Sequence, residues 1–137
     1  GEAVATGKTI ARLARAEPAG TALIGCGGES TVSLGRSEPG LGGPNQEAAI
    51  AASAELEGRQ VAAVFLDTDG SDGSTRFAGA ICDGRTAERA RELGLDLEAA
   101  LASHAASEPL RALEDLIDTG PTGTNVNDLF VAVTGPI

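Results

Sequence analysis

The sequence predicts an α/β fold: a single layered domain in which a mixed β-sheet is flanked by helices. Three observations carry this. Apolar strand-like runs, above all "QVAAVFLD", alternate with segments of helical periodicity, as layered α/β chains do. A length of 137 residues suffices for one core and not for two. Hydrophobic residues make up 42% and charged residues 22%, the balance of a globular chain rather than a disordered or fibrous one.

Each element follows in order. Residues 2–16 read as a helix with Val4, Ile10, Leu13 and Ala14 on one side, and with Arg12 and Arg15 near the end, where cations suit the helix dipole. "EPAG" breaks it, so residues 1–20 form a leading helix and linker and residues 21–137 the core. "TALIG" reads as a short buried strand and "STVSLG" as a half-exposed one, and the short glycine-rich "CGGE" between them predicts a hairpin. The loop "RSEPGLGGPNQE" runs into an alanine-rich helix, "AAIAASAELEG", closed by Gly58. "QVAAVFLD" is a strand, "TDGSDGST" a loop and "FAGAICDG" a further strand segment. Helices are predicted over 86–93, 97–104 and 108–117, before a last strand, "LFVAVTG".

Composition limits the function classes. The formal charge of −10 arises from 20 acidic against 10 basic residues, and Lys8 is the sole lysine. Such a chain repels phosphate backbones, so no nucleic-acid partner is expected. A lysine-poor acidic surface suits a high-salt, halophilic cytoplasm, and a GC-rich genome accounts equally for the arginine bias. No apolar run approaches the roughly 20 residues of a membrane span, and the N-terminus lacks the layout of a signal peptide. A cytoplasmic location without membrane contact is expected, and a start at Gly1 rather than Met reads either as a tag remnant or as a cut from a longer polypeptide. Three phenylalanines are the only aromatics, so the core is light, and docking to another domain or a homo-oligomer is expected. Cys26 and Cys82 form no Cys-x-x-Cys pair and there is one histidine, so neither zinc nor haem is expected and both thiols read as buried and free.

Several stretches resemble chemical motifs. "ATGKT" lacks the glycine spacing of a phosphate-binding Walker loop and has no strand before it, leaving Lys8 a helix-surface residue. "DTDGSDG" fails as a calcium loop, because the sixth and twelfth positions hold Asp72 and Ala78 rather than Gly and Glu. It still puts Asp67, Asp69 and Asp72 beyond the carboxyl end of a strand, where α/β sheets bind ligands. A magnesium–phosphate contact, a general base and a solvent-exposed Asp-Gly turn all fit. "GGPNQE" is either an anion site made by free helix amides or a plain helix start capped by Asn45. "GCGGES" lacks the spacing of a dinucleotide fingerprint, and His104 reads as a lone solvent-facing side chain. "TGPTGTNVND" offers glycine-freed amides, hydroxyls and side-chain amides, more donors than a turn needs, which suits ligand binding or domain docking.

In this order and spacing, "GGESTVSLG", "GLGGPNQEAAIAA", "TDGSDGSTRFAGAICDG" and "TGPTGTNVNDL" resemble the MOFRL domain, the C-terminal domain of two-domain glycerate kinases, some labelled hydroxypyruvate reductases. The resemblance covers the chain from about Gly25 onward. It implies a larger N-terminal α/β domain, an active site in the cleft between the two, and magnesium-dependent transfer of the ATP γ-phosphoryl group to a hydroxyl of glycerate, a small hydroxy acid. By motif, Asp69 is the implied catalytic or magnesium-linked carboxylate. Glu29, Asn45, Gln46, Glu47 and Asp72 are the implied ligand-binding residues, with Thr122, Gly123, Thr124 and Asn125 facing the ligand or the partner domain. Pro44 departs from the family, which usually has arginine there; "SHAASEPL" lacks the usual aromatics, and Phe130 stands where a polar residue is common. The chain is thus expected to form one wall of a kinase cleft and to be inactive alone. The alternative is a non-catalytic ligand-binding or interaction module on the same scaffold. A hydroxypyruvate reductase is a third option, against which stands the lack of a dinucleotide fingerprint.

Overall fold

A computed structural model gives the fold and describes residues 1–35 and 38–136. The Arg36–Ser37 part of the predicted glycine-rich loop lies outside the described residues. In chain order the elements are α1 (Ala3–Ala16), β1 (Ala22–Cys26), α2 (Pro44–Leu56), β2 (Val61–Asp67), β3 (Gly79–Asp83), α3 (Thr86–Glu92), α4 (Leu97–Ala102), α5 (Ser107–Ala112), β4 (Leu116–Ile117) and β5 (Asp128–Thr134).

The layering of helices on a sheet is as the strand–helix alternation predicts, but the sheet is not mixed. Its order is β1-β5-β2-β3-β4, and every pairing between these strands is antiparallel. The β1–α2–β2 segment does run its two strands in the same direction, as such a unit must. They are not neighbours, because the last strand slides between them and pairs antiparallel with both, Val131 facing Ile24 on one side and Val64 on the other. The predicted "TALIG"–"STVSLG" hairpin is therefore absent. β5 pairs with one edge of β1, the outermost strand, and of "STVSLG" only Thr31 forms an isolated bridge, to Glu2. The last predicted helix also ends early. Glu114 takes a left-handed φ of 61° after α5, and Leu116–Ile117 joins the sheet instead.

The core lies between one face of the sheet and α1, α2 and α5. Phe65, Ala63, Cys82 and Ala132 meet Ile10, Ile50, Leu56 and Leu110 there. Since Ile10, Ala11 and Ala14 belong to that cluster, α1 is part of the core rather than a leader to it. Its buried stripe is Ala3, Gly7, Ile10, Ala11 and Ala14, which keeps Ile10 and Ala14 of the predicted face but leaves Leu13 exposed. The reason is backbone approach: a Cβ on Gly7 would stand 2.1 Å from the carbonyl oxygen of Ala48. Small residues let two helices touch along their main chains, which a Leu13 stripe would hold apart. α2 is buried on nearly every side, as an alanine-rich helix without a polar face must be. Phe130 also finds its explanation here, because its ring lies over Gly25, where any Cβ would collide with it.

Among the described residues the opposite face of the sheet carries no helix. Ile24, Val131, Val64 and Ile81 form one row across four strands on that face. Cys26 ends the same face of β1 and is exposed, contrary to expectation, whereas Cys82 is buried and burial pushes its thiol pKa up. In an exposed helix Gly→Ala would gain about 1 kcal/mol from propensity, but at this contact overpacking outweighs it. Gly7→Ala is expected to lower stability by about 2 kcal/mol in a urea melt, and a stabilised variant would refute the close contact.

Candidate functional site

The start of α2 shows how the site is built. Gly43 is its N-cap and Pro44 opens the first turn, where a missing N–H costs nothing. No side chain of the helix caps it. The cap is Asp72, from the loop after β2. Its Oδ2 accepts from the Gln46 N–H at 2.9 Å and its Oδ1 from the Asn45 N–H at 3.0 Å and Asn45 Nδ2 at 3.2 Å. The expectation of a free anion site at "GGPNQE" therefore fails, because an internal carboxylate already fills it. Nor is Asn45 the cap; it is the residue capped. Asp72 is 1% exposed, and burial pushes its pKa up to about 6, against the opposing pull of the amides of Asn45 and Gln46.

Asn45 passes the connection onward. Its Nδ2 also donates to Asp128 Oδ1 at 2.9 Å, and Asp128 Oδ2 accepts from the Ser30 N–H at 2.7 Å. The main chain of Asp128 is tied to Gly27 and Gly28 as well. One aspartate at the start of β5 thus fixes the "GGES" loop beside the α2 terminus, and leaves Glu29 exposed between its anchors. Gln46 is 0% exposed, with its amide donating to Thr75 Oγ1 at 2.9 Å and accepting from the Ser107 hydroxyl. Glu47 is buried and its Oε1 meets His104 Nδ1 at 2.9 Å, so His104 is not the lone solvent-facing histidine the sequence suggests. As placed, Gln46, Asn45 and Asp72 are spent on the protein itself and support the site from below rather than line it.

The exposed part of the site is two loops clasped together. Thr68, following β2, accepts the Val126 N–H on its hydroxyl at 2.8 Å and donates that hydroxyl to the Asn127 carbonyl at 2.8 Å. Thr122 donates its hydroxyl to the Thr68 carbonyl at 2.5 Å, and its N–H to the Asp69 carbonyl at 3.1 Å. Gly70 crosses below with φ 96°, and a Cβ there would meet the Gly120 carbonyl oxygen at 2.1 Å. Asp69 Oδ1 accepts from the N–H and hydroxyl of Ser71, and its Oδ2 lies 3.5 Å from Asn125 Nδ2. Asp69, Thr122, Gly123, Thr124 and Asn125 are thus brought to one rim, 56 residues of sequence separating Asp69 from Asn125.

Below that rim, Asp69, Gly70, Ser71, Arg76, Asp118 and Pro121 line a groove of about 390 Å³. Arg76 is the cation of this lining and pairs with Asp118 at 3.1 Å, both exposed. A larger groove of about 580 Å³ opens between α2 and α3–α4, and none of the sequence-predicted site residues lines it. Among the described residues no three His, Cys, Asp or Glu side chains gather as a metal cage. Magnesium needs few protein ligands when phosphate oxygens complete its shell, so the donor set fits an ion held by Asp69 together with a nucleotide and not an all-protein site. Asp128, Thr68, Thr75, Ser107 and the partnership of His104 escape a reading of motifs; the signal for Asp128 is its place as the last polar residue before an apolar strand.

Residues 22–128 match the MOFRL family. The chain belongs to it. This MOFRL chain is 45% identical over 107 residues to a glycerate 2-kinase of Pyrococcus horikoshii, covering 78% of this chain and 24% of that protein. It is 42% identical over 108 residues to a D-glycerate 2-kinase of Thermotoga maritima, covering 78% and 25% respectively. A crystal structure of a Thermotoga maritima glycerate kinase superposes with a TM-score of 0.89 at 38% identity, over 97% of this chain and 33% of that one. The MOFRL chain thus spans about a quarter to a third of the length of the relatives it matches.

Asp72→Asn would set a side-chain NH2 against a main-chain N–H in a buried place, and is expected to cost about 2 kcal/mol at pH 7. Since folding raises the Asp72 pKa from 3.8 to about 6, its proton is held more tightly in the folded state. The wild type should then lose stability, relative to Asp72→Asn, as pH rises from about 4 to about 6, and hold level above. Urea melts of both proteins across that range check the sign; a difference that grows with pH would show that the helix amides outweigh burial.

Proposed function

We propose that this chain forms the C-terminal wall of an interdomain active site in a glycerate-kinase-like phosphotransferase, and that it is inactive alone. The observation that carries this is the meeting of Asp69 and Asn125 on one rim, each on a loop whose backbone is fixed by the other. Family membership and the named activity of the relatives support the choice of reaction.

Asp69 then accepts the proton of the attacking glycerate hydroxyl, or holds the magnesium nucleotide; Ser71 and Asn125 fix its carboxylate for either role. Magnesium would neutralise charge on the transferring phosphoryl group when bound. Thr124 and Asn125 supply hydroxyl and amide donors for substrate oxygens, Thr122 holds their loop against Thr68 and Asp69, and Glu29 borders the same end of the sheet. Glu47 orients His104 beside the α2 start.

Electrostatics explains why a second wall is needed. ATP and glycerate are anions, and the groove lining offers Asp69 and Asp118 against Arg76. Cations must come from the facing domain, since positioned positive charge is what phosphoryl transfer chiefly requires. Pro44 sharpens this, because the arginine usual in the family would supply one such charge from this wall. We assign the assembled enzyme to the cytoplasm, where ATP is available.

Replacing the matched segment of the Thermotoga maritima D-glycerate 2-kinase with this chain should yield ATP- and glycerate-dependent phosphorylation that the isolated chain lacks. In that polypeptide Asp69→Asn is expected to lower kcat by about 10²–10⁴-fold, and undiminished kcat would refute the role of Asp69. Pro44→Arg should raise kcat/KM by about tenfold, read in the same assay, an effect worth about 1.4 kcal/mol of transition-state stabilisation.

A further inference from the structure

The sheet face opposite the helices is almost wholly apolar. Its middle row, Ile24–Val131–Val64–Ile81, is flanked by rows that include Leu129 and Leu66 on one side and Val133 and Ala62 on the other. Asp83, at a far corner, is the one charged side chain in these three rows. Ile24 is 68% exposed, Ile81 42% and Val133 41%. An antiparallel sheet with a solvent face normally alternates apolar with polar residues. Here both faces are apolar, so the strands read as those of a sheet covered on two sides. Patches this wide and unbroken mark interaction surfaces.

Two observations say what covers it. The relatives that share this fold are three to four times as long, so most of their chain lies outside the part matched here. The face is also continuous with the candidate site. Cys26, Leu66 and Leu129 form the row at its end, and their chain neighbours at that end of the sheet, Gly27, Asp67 and Asp128, border the loops that hold Glu29, Asp69 and the α2 anchor. Whatever lies on this face is therefore set beside the rim, where Arg76 is already paired with Asp118.

We infer that the Ile24–Val131–Val64–Ile81 face is the docking surface for the remaining part of a glycerate-kinase-like polypeptide, which packs an apolar layer on it and reaches the Asp69 rim with basic side chains. The inference rests on the proposed function for the identity of the partner. It adds the surface used and the reason the partner's charge arrives where it is needed. A second copy of this chain is the competing occupant, and the high acidity shared by two copies disfavours it.

Cys26 is a native reporter, since it is exposed on this face while Cys82 is buried. In the isolated chain Cys26 should react with a thiol reagent as an unprotected thiol, at a rate independent of protein concentration. In the polypeptide that joins this chain to the Thermotoga maritima relative in place of its matched segment, the reaction should slow by at least about 100-fold. Val131→Lys should restore the rate there and leave the melting temperature of the isolated chain unchanged within about 2 °C. A joined polypeptide whose Cys26 stays as reactive as in the isolated chain, for whatever reason, overturns the inference, as does protection that rises with concentration in the isolated chain. The two readings separate cleanly. Cys26 protection with an Asp69→Asn variant of full activity refutes the catalytic role and keeps the docking face, whereas phosphorylation with Cys26 open does the reverse.

Discussion

The carboxylate of Asp72, buried against the first turn of α2, is the contact on which the rest of the site depends. It joins the loop after β2 to the helix at the centre of the core, through amides that would otherwise be unpaired in a dry interior. Asn45 extends the join to Asp128, and Asp128 extends it to the "GGES" loop. Separate stretches of sequence are thereby locked to one helix end. Burial opposes this arrangement by disfavouring the charge, and the helix dipole with its amides favours it. A carboxylate with a pKa of about 6 is the outcome of that contest.

A second constraint is smallness. With three phenylalanines and a core built mainly from alanine, the chain gains little per side chain from burial. It compensates by bringing backbones together, Gly7 against Ala48 and Gly70 against Gly120, so that dispersion contacts come from main chain. Such packing leaves no slack for an added methyl group. Among the described residues it also leaves one sheet face without a helix, with Ile24, Ile81 and Val133 exposed on it.

The division between a buried support and an exposed rim gives the site its character. Asn45, Gln46 and Asp72 look like ligand-binding residues in a motif because they are polar and cluster at a helix start; in space their hydrogen-bonding capacity is consumed by Thr75, Ser107, Asp128 and each other. They tie the loop after β2 and the start of β5 to the first turn of α2.

Elements and loops were legible from the residues alone. Periodicity located α1, β2 and β5 to within a residue or two, because each is a long apolar pattern with a glycine or proline boundary, whereas α2 begins at Pro44, four residues before the alanine-rich run that predicted it. Motif order identified the stretches that form the rim. Strand pairing was not legible in this way. That β5 enters between β1 and β2 depends on which apolar faces match in three dimensions, and this choice removed the expected hairpin and made the sheet antiparallel. Burial was equally hidden, since Leu13 outside and Gly7 inside reverse the hydrophobic order for the sake of helix contact. The capping of α2 by Asp72, 27 residues downstream of Asn45, emerged only once the chain had folded. A carboxylate's role is set by the amides it reaches, and sequence spacing does not encode that distance.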